Sequence, residues 1–162
     1  MVNLKVEHYL RIILLISLVS IISAYFIEYA LGHEPCNLCL IERIPYILSI
    51  VLILINFRFK KSEKLLILFL TLIFVFSFLI SVYHFGIEQG FFDESSLCTS
   101  KNNSNIISKE ELLKILNERS ISCKDVTFKI FGLSLTSVNI IISLIIIFTL
   151  VKIYNTYEKI KS

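Results

Sequence analysis

Cys36 and Cys39 stand two residues apart in the stretch EPCNLCLIERIPY, Glu34 to Tyr46, and Arg43 follows Cys39 by four positions. A dithiol at that spacing suits half of a zinc site, a structural bridge or a redox pair. Zinc usually takes four N or S ligands, commonly from a second close pair. The other two cysteines, Cys98 and Cys123, are 25 positions apart, and His33 adds one nitrogen without the usual spacing. No metal is therefore expected. A bridge across two intervening residues closes a very small loop and constrains little of the unfolded chain. Redox chemistry leads. A thiolate is the reactive form of cysteine, and its pKa falls near helix N-termini and cations. Arg43 lies one helical turn beyond Cys39 on the same face, and its guanidinium stays charged in proteins. An arginine at a membrane boundary also serves as a plain interface anchor, and Glu42 as a balancing charge. The neighbouring dithiol is what favours the chemical reading.

His84 ends an apolar run at SVYHFG. There it could donate a hydrogen bond to a ligand between helices, or move protons. With Cys36 and Cys39 taken as one unit, Cys98 and Cys123 are the natural second pair. A staple across a loop and a relay by thiol–disulfide exchange fit that pair equally well.

The elements that must position these residues are apolar. Of 162 residues, 56% are hydrophobic and 18% charged, against about 25% charged in ordinary soluble domains. Charge-free runs cover 12–27, 44–57, 65–83 and 130–151, and a spanning helix needs about 20 mostly apolar residues. The expected fold is all-α: a single polytopic membrane domain with spans near 9–30, 38–57, 65–85 and 130–152. The second span is long enough only if it starts near Leu38, with Glu42 and Arg43 in its first turns and Pro45 near its start. The first run exceeds a signal-peptide core and lacks a small-x-small cleavage site, so it reads as a span.

Basic residues in short loops mark the cytoplasmic side. Arg58, Lys60, Lys61 and Lys64 crowd the 58–64 loop, Lys5 and Arg11 the N-terminal tail, and Lys152, Lys159 and Lys161 the C-terminal tail. Both termini and the 58–64 loop are expected in the cytoplasm, with loops 31–37 and 86–129 outside. All four cysteines then face the outer compartment, which in a bacterium is oxidising. In the long loop, Ser108 with Glu111 fits a capping box and Ile107 with Leu112 a hydrophobic staple. They predict a short helix over 108–119 whose Leu112, Leu113 and Leu116 form a stripe that packs on the protein itself, in preference to lying on the bilayer surface. Cys98 falls in the polar, turn-rich DESSLCTSKNNSN, so it is expected on a flexible piece. A net charge of +3 without a basic, aromatic-rich stripe gives no reason to expect nucleic acid.

PCNLCLIER follows the P-C-x-x-C-x-x-E-R pattern, YHFGIEQGFF closes the third span, and SCKDVTFKIFGLSL leads into the fourth. In these motifs, and along nearly its whole length, the chain resembles the disulfide bond formation protein B (DsbB) family. The resemblance implies a four-helix bundle of the bacterial inner membrane with a bound quinone, ubiquinone or menaquinone. It implies that Cys98 and Cys123 take electrons from a soluble periplasmic thiol oxidase of the DsbA type. Cys36 and Cys39 would pass them to quinone, which Arg43 and His84 would contact. Family members often carry Trp between the fourth Cys and the fourth span, and again shortly into it. This chain has none; Phe128 and Val138 stand nearby, so ring packing there must differ. Three other readings rank lower: a vitamin K epoxide reductase-like quinone/thiol protein, a non-catalytic tetraspan scaffold or transporter with structural disulfides, and a metal site at Cys36, Cys39 and His33.

Overall fold

Where the surrounding solvent is hydrocarbon, every backbone N–H and C=O must be paired inside its own segment, so long apolar runs fold as helices. The computed structural model describes residues 2–59, 63–93, 98, 123, 129–130 and 132–161. Its elements run α1 (Val2–Tyr29), α2 (Asn37–Phe59), α3 (Glu63–Glu88), a hairpin of β1 (Lys129–Ile130) and β2 (Leu133–Ser134), and α4 (Leu135–Lys161). All four helices are long and apolar enough to cross a membrane. The helix anticipated at 108–119, and Phe128, lie outside the described residues.

Each helix packs on two neighbours, α1 on α2, α2 on α3, α3 on α4 and α4 on α1, with the α3–α4 contact the most extensive. The ring closes around a core of Leu10, Ile13, Ile53, Ile67, Leu70, Phe74, Ile146 and Leu150. Serines thread that core on every helix: Ser17, Ser49, Ser77, Ser81 and Ser143 are all fully buried. Ser17 Oγ meets Ser49 Oγ at 2.9 Å and Ser77 Oγ meets Ser143 Oγ at 3.4 Å. Small hydroxyl residues let membrane helices approach closely and bond across the contact. Outward, Leu15, Val19, Ile22 and Phe26 of α1 are each at least 60% exposed. That stripe would be a large unpaired patch in water; in a bilayer it faces lipid.

One helix start and the place of one proline differ from the sequence expectation. The fourth helix begins at Leu135, not near 130, because Lys129–Ile130 and Leu133–Ser134 pair as antiparallel strands, Lys129 with Ser134 and Ile130 with Leu133. Gly132 turns it at φ +83°, a left-handed conformation open to glycine. Ser134 then caps α4, its Oγ accepting the Ser137 N–H at 3.2 Å. Pro45 sits inside α2 rather than near its start. Its missing N–H removes one backbone bond from the helix, yet α2 continues unbroken to Phe59.

Glycines close the helices at the dithiol end. Gly32, at φ +70°, lets the His33 N–H reach back to the Ile27 carbonyl and end α1. Gly86 leaves space for the Phe92 ring to fold back onto α3, where it stacks on Tyr83. The α1–α2 connection, the end of α3 and the start of α4 thus meet at one end of the bundle.

Candidate active site

Cys36 occupies the cap position of α2. Its carbonyl accepts the Leu40 N–H at 3.2 Å and its Sγ accepts the Cys39 N–H at 3.3 Å. A sulfur therefore stands where a capping Ser or Asp oxygen would, at the positive end of the helix dipole. The Cys39 Sγ is 2.7 Å away. Cys36 is buried and Cys39 partly exposed, and both are free thiols. The hydrogen bond with the Cys39 side chain, opposed by burial and reinforced by His84, pulls the Cys36 thiol from 9.0 down to about 4.

His84 reaches this sulfur from α3. Its Nε2 is 3.6 Å from Cys36 Sγ, while its Nδ1 is 3.0 Å from Glu42 Oε1. Glu42 is buried, and its other oxygen accepts the Asn139 amide at 3.1 Å. Asn139 also donates to Ser81 Oγ at 2.7 Å and accepts the Tyr46 hydroxyl. Thr136, one turn before Asn139 on α4, lies 3.3 Å from His84 Nδ1 and donates to Glu88 Oε1 at 2.6 Å. Three helices thus fix one imidazole, with its Nε2 directed at the thiol.

Arg43 is held from α1. Its Nη1 pairs with Glu28 Oε2 of α1 at 2.5 Å, and its Cζ lies 5.1 Å from the centre of the Tyr25 ring. The basic group within reach of Cys36 is His84, and Arg43 lies to the side with its charge engaged. Both nevertheless line one cavity of about 290 Å³, together with Cys39, Ile27, Asn139 and Ile142. Its wall is apolar toward the bundle flank and carries the thiols, the imidazole and the guanidinium at the dithiol end.

Cys98 and Cys123 form a disulfide. Both residues are buried, packed in a small cluster with Cys36, Leu38 and Ile87. The loop bridge is docked onto the helix pair. The structure therefore gathers Cys36, Cys39 and His84 into one site, seats Cys98–Cys123 against it and leaves Arg43 on the cavity wall. His33, the ligand in the metal reading, also lines the cavity, but the imidazole beside the sulfurs is that of His84.

Sequence reasoning treated Glu42 as a balancing charge and passed over Asn139, Thr136 and Glu88. A signal was available. Glu42 and Asn139 are polar groups inside spans, and such residues in a membrane helix mark a site by default.

The model of the family described as disulfide bond formation protein DsbB matches residues 7–153. The chain is also similar to an uncharacterized protein, RP370, of Rickettsia prowazekii (strain Madrid E). They are 27% identical over 135 residues, 82% of this chain and 78% of that protein. No solved structure matches closely.

Proposed function

The chain belongs to the DsbB family of disulfide bond formation proteins, and from that premise we propose that it re-oxidises a soluble DsbA-type thiol oxidase and delivers the electrons to membrane quinone. The family carries membrane disulfide oxidoreductase activity. The assignment of roles to individual residues is supported chiefly by one observation: the loop disulfide is packed against the helix dithiol in a single buried cluster.

The steps balance as exchange reactions. A partner thiolate attacks the Cys98–Cys123 bridge at Cys98, forming a mixed disulfide and releasing Cys123 as a thiolate. The second partner thiol resolves it, so the partner leaves oxidised and the loop pair is reduced. The loop dithiol then attacks the Cys36–Cys39 disulfide, which restores the loop bridge and leaves Cys36 and Cys39 reduced. Thiolate availability sets the rate of such exchanges. The helix cap, Cys39 and His84 all favour the Cys36 thiolate. That makes Cys36 a good leaving group when the helix disulfide is opened. His84 is placed to take up or return the proton, and Glu42 holds its ring.

Quinone fits the cavity by its donor set: an apolar wall for a ring and tail, and Cys39, Arg43 and His84 at the polar end. When bound, quinone supplies the capacity to accept two electrons and two protons. Cys39, the more exposed thiol, would face it, and Arg43, held by Glu28 and Tyr25, would bind its oxygen. An external acceptor is needed because a partner near −120 mV lies roughly 150 mV above thioredoxin-like dithiols.

The cysteine end is proposed to face the periplasm and both termini the cytoplasm. The basic residues at the opposite end of the bundle support this orientation. Mixing the purified protein anaerobically with reduced partner and quinone, and following quinone absorbance, tests the whole reading. Loss of quinone absorbance in step with partner oxidation is expected. Partner oxidation without quinone reduction, or neither, would overturn it.

A further inference from the structure

We propose that the reduced Cys36–Cys39 pair and His84 form a site for a thiophilic divalent cation such as Zn²⁺ or Cd²⁺, which locks the dithiol in its reduced form. The Cys36 and Cys39 sulfurs and a His84 ring nitrogen all lie within 4.8 Å of one another. Tetrahedral zinc, with bonds of about 2.3 Å to sulfur and about 2.0 Å to nitrogen, sets S and N about 3.6 Å apart. Cys36 Sγ and His84 Nε2 are already at 3.6 Å. The two sulfurs, at 2.7 Å, need to open by about 1 Å to reach the separation of about 3.8 Å that those bonds require. Cys39 is the partly exposed member and can swing at its side chain toward the cavity.

Two further features suit a cation. His84 turns its other nitrogen to Glu42 at 3.0 Å, the carboxylate–histidine arrangement that orients metal-bound imidazoles and raises their basicity. One turn after His84, the Glu88 side chain is only 6% exposed, with Oε1 3.9 Å from His84 Nε2. Its Oε2 has no hydrogen-bond partner among the described residues. Glu88 lines the same cavity as the two thiols, so its carboxylate can complete the shell directly or through a water. A third protein ligand, a supporting carboxylate and a spare acceptor are more than a bare C-x-x-C supplies.

The chemistry is displacement. The cation replaces whatever protons the two sulfurs and the His84 nitrogen facing them hold, which pass to solvent, and no electron moves. A Cys36–Cys39 disulfide has no thiolate to offer, so binding must depend on redox state. The proposal needs only a reduced dithiol, whichever partner or acceptor oxidises it.

The test uses the full chain in detergent, reduced with a phosphine, freed of reductant and titrated anaerobically with Cd²⁺. One equivalent should raise ultraviolet thiolate-to-metal charge-transfer absorbance, and the air- or quinone-oxidised chain should give none. Cys98→Ser with Cys123→Ser should keep the signal. His84→Ala should weaken binding, and Glu42→Gln should weaken it about 10- to 100-fold. The proposal is overturned by an equal signal from the oxidised chain, by a signal that survives Cys36→Ser, or by unchanged affinity in His84→Ala. The decisive redox comparison is made in the Cys98→Ser, Cys123→Ser chain, whose remaining thiols are Cys36 and Cys39; should that variant fail to fold, His84→Ala in the otherwise unmutated chain still decides, because loop thiols would bind equally well without the imidazole. Quinone reduction is measured separately, so failure of that function and failure of this site are distinct results.

Discussion

The two cysteine pairs are built under opposite conditions. Cys36 and Cys39 share one helix end, so their sulfurs stay near each other whether or not they are bonded. Cys98 and Cys123 are separated by 25 positions and meet only because the chain between them returns. The helix pair has a cap, a histidine and a cavity. The loop pair has burial against the helix pair, and its Cys123 reaches the same cavity. The first arrangement suits a dithiol that must hold electrons beside a fixed acceptor. The second suits a bridge that must be presented to a partner and then returned. If the loop bridge is the partner-facing pair, its burial must be relieved before an external thiol can reach Cys98.

The largest effect that can break this division of labour is Cys98→Ser. If the loop pair is the partner-facing relay, turnover with reduced partner should fall by at least about a thousandfold, the scale of losing a nucleophilic centre, while Cys36 and Cys39 still form their bridge. Thiol trapping and mass analysis report the bridge, and partner oxidation reports turnover. Full activity in this variant would reduce the loop disulfide to a staple.

Arg43→Ala probes the cavity that both helix cysteines line, together with Cys123 of the loop pair. A hydrogen bond to a charged group contributes about 1.5–3 kcal/mol, so quinone reduction should slow by about 10- to 100-fold. Exchange with the partner should stay close to normal. Arg43 also neutralises Glu28, so Glu28→Gln in the same background separates loss of the contact from an unpaired carboxylate. Unchanged quinone kinetics would remove Arg43 from the site.

The scaffold was largely legible in the sequence, and the wiring between helices was not. Charge-free runs located four helices because hydrocarbon excludes charge. The same criterion could not separate the hairpin at 129–134 from α4, since Ile130, Phe131 and Leu133 are apolar too; Gly132 and Ser134 carried the missing turn and cap signals. Cys36, Cys39 and His84 were identifiable because spacing and up-down topology bring them to one end. The partner of Arg43 was not, because Glu28 and Arg43 are related only by the packing of α1 on α2. For the same reason the bonds from Glu42 to His84 and Asn139, which cross 42 and 97 positions, had no local signature.

The depressed Cys36 pKa gives the comparison a pH signature. With an inflection at about 4 against 9.0 for an ordinary thiol, alkylation of the reduced helix pair by iodoacetamide should be flat at neutral pH. It should fall only as the pH drops through about 4. Between those two values Cys36 binds less proton in the folded, reduced chain than in the unfolded chain, so the contribution of Cys36 to the stability of the reduced form rises with pH across that window. His84→Asn removes a hydrogen bond and a charge that favour the thiolate, and should move the inflection upward by about one unit or more. An inflection unmoved by His84→Asn would leave Cys39 and the helix cap as the sole supports of the thiolate.

The smallest expected effect concerns stability rather than turnover. Cross-linking constrains the unfolded chain more as the closed loop grows. A separation of 25 corresponds to about 3.5 kcal/mol, and one of 3 to about 1.5 kcal/mol. Removing the loop bridge by Cys98→Ser and Cys123→Ser should therefore destabilise the oxidised chain by about 2 kcal/mol more than removing the helix bridge by Cys36→Ser and Cys39→Ser. Unfolding followed by far-ultraviolet circular dichroism in increasing sodium dodecyl sulfate measures the difference. A larger loss from the helix variants would mean that the Cys36 cap, rather than loop closure, dominates, and the helix pair would then be the structural one. Equal losses would mean that the 99–122 segment is held by contacts of its own without the bridge. In either case reduction of the loop disulfide would free less chain than a partner-facing relay needs.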